Sequence, residues 1–162
     1  MRSSFTDFLA GIKCIEIGVG NGANALNMLV GVQNFKLYLV DSYDVDKSTF
    51  QFGKKFTPDE REEFIKSVRD RLAPFSDRVE LIIQDSETAS QKFSDEYFDY
   101  IYIDAQHEYE DVLRDVKAWY PKLKKGGTIS GHDYGIEGVT KAVQEFFGRN
   151  YIYSGDDWSA GK

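Results

Sequence analysis

Nine residues from Cys14 to Gly22, CIEIGVGNG, decide the fold of this chain. An apolar run ends in three glycines, a pattern that predicts a strand over Lys13–Gly18 turning into a helix over Ala23–Val30. Glycine has no side chain, so a turn of this kind lets the backbone approach a ligand closely. The stretch therefore predicts an α/β protein with a ligand at the carboxyl end of its first strand.

Strand-like and helix-like segments alternate through the rest of the chain. Further strands are predicted over Phe35–Asp41, Val79–Asp85, Tyr97–Asp104, Thr128–Asp133 and Tyr151–Tyr153. Further helices are predicted after an N-cap at Thr57, over Tyr109–Leu123 and over Val139–Phe147. Strict alternation favours a Rossmann-like, doubly wound, mostly parallel sheet with helices on both faces. With 162 residues and no linker, we expect a single domain over residues 1–162.

The composition excludes several classes of protein. The net charge of −7 argues against a nucleic-acid-binding protein, because such proteins grip phosphates with a basic face. No apolar run is long enough to span a membrane and no signal peptide is recognisable, so we expect a cytoplasmic protein with no membrane partner. The single cysteine, Cys14, lies in the first predicted strand, where we expect it to be a small buried residue.

Four of the predicted strands end in an aspartate: Asp41, Asp85, Asp104 and Asp133. In open α/β sheets the ligand lies outside the carboxyl ends of the strands, so these acids should meet at the ligand site. Each could instead cap the helix that follows it, as aspartate often does. Four such residues at one edge of the sheet are better explained by a bound ligand.

The glycine turn narrows the identity of that ligand. A triphosphate-binding loop needs a lysine followed by serine or threonine after its last glycine, and this turn has neither. A dinucleotide would fit the spacing of Gly18 and Gly20, with Asp41 placed to hold ribose hydroxyls. However, Glu16 adds a carboxylate that suits a cationic ligand better than a pyrophosphate, and no lysine or arginine is placed to meet two phosphates.

Several motifs together give the sequence a resemblance to a known family. They are EIGVGNG from Glu16, the acid that ends the second strand, QDS from Gln84, and YIDAQHEYEDVLRDVKAWYPKLKKGGTISGHDY from Tyr102. The sequence resembles class I S-adenosylmethionine-dependent methyltransferases, most closely the small-molecule O-methyltransferases that act on catechol, caffeoyl-CoA and sugars. The resemblance implies a seven-stranded sheet. Because the chain starts shortly before its first strand, we expect little or no N-terminal cap.

The resemblance also implies a role for each cofactor-binding position. Glu16 and the turn at Gly18 and Gly20 would meet the methionine end of S-adenosylmethionine, and Asp41 would accept both ribose hydroxyls. Asp85 would bind the adenine amino group with Ser86 beside it, unless these two residues only cap a helix. The full predicted set is Glu16, Gly18, Gly20, Asn21, Asp41, Ser42, Asp85, Ser86 and Asp104.

The two histidines of the chain, His107 and His132, follow the fourth and fifth predicted strands, where the methyl acceptor should lie. The predicted catalytic set is His107, His132 and Asp104. In the metal-dependent branch of the family, the corresponding positions hold a divalent cation such as Mg or Mn. Here Asp104, His132 and Asp133 would be its ligands, with His107 as base. Without a metal, His132 would be the base and Asp133 would orient it.

The predicted activity is O-methylation of a small hydroxylated molecule. Acceptor contacts are expected from Ser42–Phe56, from Tyr134–Gly138 or from another subunit, because Ser42–Phe56 is long and aromatic, like a lid or an oligomer contact. Two alternatives stay open. One is a catalytically inactive methyltransferase-like binding module or subunit, and the other is an NAD-dependent oxidoreductase.

Overall fold

The computed structural model describes residues 11–44 and 56–162, and within these ranges seven strands and five α-helices form the fold. The strands are β1 Ile12–Ile17, β2 Phe35–Asp41, β3 Val79–Ile83, β4 Phe98–Ile103, β5 Leu123–Gly131, β6 Ile152–Ser154 and β7 Asp157–Gly161. The helices are α1 Ala23–Gly31, α2 Pro58–Leu72, α3 Ser86–Ser90, α4 Tyr109–Trp119 and α5 Glu137–Phe147.

The seven strands form one sheet in the order β3-β2-β1-β4-β5-β7-β6. The pairs among β1 to β5 are parallel, whereas β7 runs antiparallel to both β5 and β6. The chain direction across the sheet reverses between β1 and β4, which is where open α/β sheets bind their ligands. The predicted doubly wound, mostly parallel, seven-stranded sheet is therefore confirmed.

Helices cover both faces of the sheet. Successive side chains of β1 point alternately into the two cores that these helices form with the sheet. Ile15 and Ile17 belong to the core that contains residues of α3, α4 and α5. Cys14 is buried in the opposite core, with residues of α1 and α2, as expected for it. Because side chains alternate along a strand, Glu16 lies on the same side as Cys14. A carboxylate thus occupies a position that the sheet otherwise fills with apolar groups.

The N-terminus of α2 follows the sequence prediction. The hydroxyl of Thr57 accepts a hydrogen bond from the backbone N–H of Glu60, and the Glu60 carboxylate accepts one from the backbone N–H of Thr57. Pro58 occupies the first turn, where its missing N–H costs nothing. This capping box starts the helix that covers β2 and β3.

Two predicted segments have wrong boundaries. The helix predicted over Tyr109–Leu123 ends at Trp119 and continues as a 3₁₀ turn over Tyr120–Lys122, because Pro121 cannot donate the next helical hydrogen bond. The strand predicted over Thr128–Asp133 instead starts at Leu123 and ends at Gly131.

Some expectations concern residues that the structure does not describe. Most of the predicted lid or oligomer contact at Ser42–Phe56 lies in residues 45–55, outside the described ranges, and so do residues 1–10, which bear on the predicted cap. Among the described helices, none has both the length and the apolar character needed to cross a bilayer.

Close packing of β5 against β4 and β7 predicts that Gly131→Ala is destabilising. A Cβ at Gly131 would lie 2.6 Å from the carbonyl oxygen of Ile103 and 2.6 Å from ring carbons of Trp158. We expect a loss of about 2 kcal/mol in the free energy of unfolding, measured with urea. Gly31→Ala is the control, because no atom lies within 4 Å of its added Cβ. An unchanged stability of Gly131→Ala would contradict the packing described.

Candidate functional site

The glycine turn after β1 is shaped by the close approach of β4. Gly18 has φ +86°, and a Cβ there would lie 2.0 Å from the carbonyl oxygen of Asp104. The backbone N–H of Asp104 in turn donates to the carbonyl oxygen of Ile17 at 2.8 Å. Only glycine fits this contact, so the turn and the end of β4 form one rigid edge.

Asp41, at the end of β2, is held by the same turn. Its Oδ2 accepts hydrogen bonds from the backbone N–H groups of Val19 at 2.9 Å and Gly20 at 3.0 Å. Its Oδ1 accepts from the backbone N–H of Tyr43 at 2.8 Å. A carboxylate has about four acceptor positions, and three are used here, so Asp41 keeps about one position for a hydroxyl of a ligand.

The segment after β2 is anchored by α2. Arg61 donates from Nε to the carbonyl oxygen of Tyr43 at 2.5 Å and from Nη2 to that of Ser42 at 3.1 Å. The hydroxyl of Tyr43 donates to the carbonyl oxygen of Gly20 at 3.0 Å. Ser42 is therefore held next to Tyr43, and its predicted contact with the cofactor stays a prediction. Asn21, inside the turn, accepts from the backbone N–H of Ala23 at 3.0 Å.

Glu16 is the most unusual group at this edge. Only 1% of the residue is exposed. Its Oε1 accepts from Nδ2 of Asn24 at 3.1 Å, while its Oε2 is buried with no hydrogen-bond partner. Burial raises the pKa of Glu16 to about 8. The hydrogen bond from Asn24 acts in the opposite direction and lowers this pKa, whereas the nearby carboxylates of Asp104 and Asp41 raise it further. A buried, unsatisfied carboxylate of this kind is suited to bind a cation.

The loop after β3 forms the other end of the edge. Asp85 accepts a hydrogen bond from the backbone N–H of Thr88 at 3.3 Å, so it caps α3. Helix capping is one of the two roles that the sequence analysis considered for Asp85, and adenine binding is the other. Gln84 donates its backbone N–H to the carbonyl oxygen of Asp41 at 3.1 Å. Its side-chain Oε1 is buried and has no partner. Among the described residues, only Glu16 and Gln84 have such an orphaned oxygen.

The ends of β4 and β5 bring together two carboxylates and two imidazoles. His107 Nε2 lies 2.7 Å from Asp133 Oδ2, and His132 Nδ1 lies 3.2 Å from Asp133 Oδ1. Burial raises the pKa of the fourth member, Asp104. Burial alone would lower the pKa of His132, but the carboxylates of Asp133 and Asp104 outweigh it and raise that pKa. Asp133 lies between the two imidazoles.

This cluster also has the donors that a divalent cation requires. Within the described ranges, Asp104, His107 and Asp133 each offer a ligand atom, and these atoms lie within 4.8 Å of one another. Two carboxylates and an imidazole suit Mn, Fe or Zn. The geometry thus groups His107 with Asp104 and Asp133, whereas the predicted ligand set has His132 as the third member and stays a prediction.

Three residues of the edge were not singled out from the sequence. Asn24 donates a hydrogen bond to Glu16, and Tyr43 donates one to the glycine turn. Gln84 precedes the predicted site residue Asp85 in the sequence. Asn24 lies one helical turn after the glycines, and its position in the first turn of α1 was the available signal. An open groove of about 530 Å³ begins beside Asn24 and is lined by Tyr100, Tyr102 and other residues of β4 to β7.

Comparisons with known proteins agree on the family. A family model described as a methyltransferase domain matches residues 15–134. A search of curated proteins finds no significant match.

Solved structures of several methyltransferases share the fold. Precorrin-6y C5,15-methyltransferase from Geobacter metallireducens has a TM-score of 0.67 at 14% identity over 97% of this chain and 88% of its own. An S-adenosylmethionine-dependent O-methyltransferase from Thermotoga maritima has a TM-score of 0.58 at 20% identity, covering 91% and 50%. TrmN from Thermus thermophilus has a TM-score of 0.64 at 12% identity, covering 99% and 50%. At these identities the likeness shows the fold alone.

The buried carboxyl of Glu16 predicts a pH-dependent stability. The folded protein keeps a proton on Glu16 up to a pKa of about 8, whereas the unfolded chain releases it near 4.5. Glu16 therefore costs stability progressively as the pH rises between these values. We expect Glu16→Gln to be more stable than the wild type by about 4 kcal/mol at pH 8 and equally stable at pH 4.

Urea unfolding at both pH values measures this difference. Glu80→Gln, at an exposed position in β3, is the control and should show no gain that grows with pH. A gain of equal size at pH 4 and pH 8 would show that Glu16 does not titrate as described.

Proposed function

This chain belongs to the family of S-adenosylmethionine-dependent methyltransferase domains, and from that premise we propose that it methylates a hydroxyl oxygen of a small molecule. The observation that carries the proposal is the pair of orphaned buried oxygens, Glu16 Oε2 and Gln84 Oε1, which flank Asp41 at the carboxyl edge of the sheet. A ligand with a cationic end, a ribose and a base offers partners for all three residues.

The cofactor would lie along this edge in one direction. Its α-ammonium group would pair with Glu16 Oε2, because a buried carboxylate without a partner gains most from a cation. A ribose hydroxyl would donate to the remaining acceptor position of Asp41. Its adenine would then lie beside Gln84 and Asp85, where an amide oxygen and a carboxylate can accept from the exocyclic amino group.

The binding mode predicts that affinity depends on pH. Pairing with the ammonium group requires Glu16 to lose its proton, so the affinity for S-adenosylhomocysteine should rise about tenfold per unit between pH 6 and pH 7.5. Above this window the ligand's own amino group begins to lose its charge. Calorimetric titration measures the dissociation constant.

Three variants test the roles of the side chains. Glu16→Gln should bind more weakly and lose the pH dependence, and Asp41→Ala should weaken binding at every pH. The control Glu80→Gln should keep the affinity and the pH dependence of the wild type. Binding of NAD without binding of S-adenosylhomocysteine would refute the cofactor assignment.

At the acceptor end we propose that His107 is the general base. S-adenosylmethionine would supply the methyl group to the acceptor oxygen, and the electron pair of the broken carbon–sulfur bond would stay on sulfur in the thioether product. The hydroxyl proton goes to His107. With Nε2 of His107 at 2.7 Å from Asp133, that nitrogen donates to the carboxylate, and Nδ1 is left to accept the proton. Asp133 would orient the ring and stabilise its charged form.

A divalent cation is the alternative use of the same cluster. The cation would be held by Asp104 and Asp133 together with either His107 or His132. It would lower the pKa of the acceptor hydroxyl. With His107 as a ligand the two uses exclude each other, because a His107 nitrogen bound to a cation cannot share a proton with Asp133. With His132 as the ligand, His107 could still act as the base. The 2.7 Å separation between the two side chains favours the proton.

The charge around the edge supports a small acceptor without phosphate groups. Asp41, Asp85, Asp104 and Asp133 face the same edge, and no lysine or arginine lines the groove beside it. A polyanion such as RNA would be repelled by these groups, and the chain carries a net charge of −7. We therefore propose a neutral or cationic hydroxyl compound as acceptor and no nucleic-acid partner.

The roles at the acceptor end are separated by chelation and substitution. Formation of S-adenosylhomocysteine is measured over a panel of hydroxylated small molecules, with and without excess chelator. We expect full activity in chelator and a loss of at least about 100-fold in His107→Ala, the usual size of a base contribution. His132→Ala should lose much less. Restoration of chelated enzyme by Mn or Mg would overturn the metal-free mechanism, and cofactor binding with no product from any acceptor would favour an inactive binding module.

A further inference from the structure

A second buried acid, Asp115, lies on α4 away from the edge. Only 4% of it is exposed, and it shares the buried side of the helix with Val112, Val116 and Trp119. A carboxylate in such a position costs free energy unless hydrogen bonds compensate for the lost water. An apolar residue would complete the stripe at no such cost, so the charge calls for another explanation.

Asp115 and Trp119 hold Ser86 between them. The indole N–H of Trp119 donates to Ser86 Oγ at 2.8 Å, and the Ser86 hydroxyl forms a hydrogen bond with the Asp115 carboxylate. Asp115 and Trp119 are one helical turn apart, so both reach Ser86 from the same side of α4. The indole of Trp119 and the carboxylate of Asp115 together restrict the orientation of the Ser86 hydroxyl.

This clamp sets the position of the loop after β3. Ser86 is the first residue of α3, which has five residues and is too short to be stable without tertiary contacts. The two preceding residues, Gln84 and Asp85, carry the orphaned amide oxygen and the capping carboxylate. Any shift of Ser86 therefore moves both groups relative to Asp41.

The charged groups around Asp115 are few. Arg114 and Asp111 lie on its own helix, and Asp85 faces it from the loop after β3. Burial raises the pKa of Asp115 to about 6, partly offset by the Ser86 hydrogen bond and by Arg114. At neutral pH the carboxyl is therefore ionised and accepts from Ser86.

We propose that Asp115 is a positioning residue for recognition of the cofactor's adenine, acting through Ser86 on Gln84 and Asp85. The inference rests on the proposed function, since it requires an adenine at this end of the edge. Asp115 does not touch the ligand in this account. It determines how well the loop discriminates the exocyclic amino group from other substituents.

The test compares two ligands that differ at that group and in the hydrogen that the change places on the neighbouring ring nitrogen, N1. S-adenosylhomocysteine carries the amino group, and S-inosylhomocysteine has a carbonyl oxygen in its place. Calorimetry gives the ratio of their dissociation constants for the wild type, Asp115→Ala, Asp115→Asn, Ser86→Ala and the double variant Asp115→Ala/Ser86→Ala. Glu110→Ala, at an exposed position on the same helix, is the matched control.

We expect the preference of the wild type for the amino ligand to fall about tenfold in Asp115→Ala, the size of one net hydrogen bond. Asp115→Asn should restore it, because an amide oxygen also accepts from Ser86. The double variant should be no worse than Ser86→Ala, because both changes remove the same clamp. Glu110→Ala should keep the preference of the wild type.

Other outcomes overturn the inference. If Asp115→Ala weakens both ligands equally, or only lowers the melting temperature, Asp115 is merely structural. If Asp115→Ala does not fold, an unchanged preference in Ser86→Ala refutes the clamp by itself. A wild type that binds neither ligand would instead refute the proposed function.

Discussion

The burial of Glu16 at the switch point of the sheet is the constraint on which the site depends. Parallel pairing places β1 between β2 and β4, so the carboxyl of Glu16 lies near both Asp41 and Asp104. The fold can keep three acids this close only if a proton or another cation compensates for their charge. Asn24 supplies one hydrogen bond to Glu16, and the second oxygen of this carboxyl has no partner.

The two ends of the edge fit successive needs of one reaction. S-adenosylmethionine carries a positive sulfonium, which an acidic edge attracts, and the thioether product has lost that charge. The proton released by the acceptor needs a base at the other end, where His107 and Asp133 lie 2.7 Å apart. Under the proposed function, the edge would therefore bind the cofactor more strongly before transfer than after it, and this difference would favour release of the product.

Local signals made much of this structure predictable. The glycine turn, the aspartates after the strands and the capping box at Thr57 are all encoded within a few residues, and the structure places them as expected. The boundary between α4 and β5 was missed because Gly126 and the next residue look like a helix stop. In the structure they lie inside β5, where Gly126 has φ +78° and the pairing with β4 shifts register.

Long-range contacts explain the rest. His132 is adjacent to Asp133 in sequence and so looked like its partner in a metal site. In the turn after β5, Asp133 has φ 59°. His132 lies next to one oxygen of the Asp133 carboxylate, and His107, in the loop after β4, lies next to the other. Asp115 was hidden for a similar reason, because its partner Ser86 belongs to a different element.

The central claim, that Glu16 exchanges its proton for the cofactor's cation, is tested most directly by infrared difference spectroscopy at pH 7. The account predicts a carbonyl stretch from a protonated carboxyl in the empty protein, absent in Glu16→Gln and lost when S-adenosylhomocysteine is added. A Glu16 band that persists in the saturated complex, or that is missing from the empty protein, would contradict it.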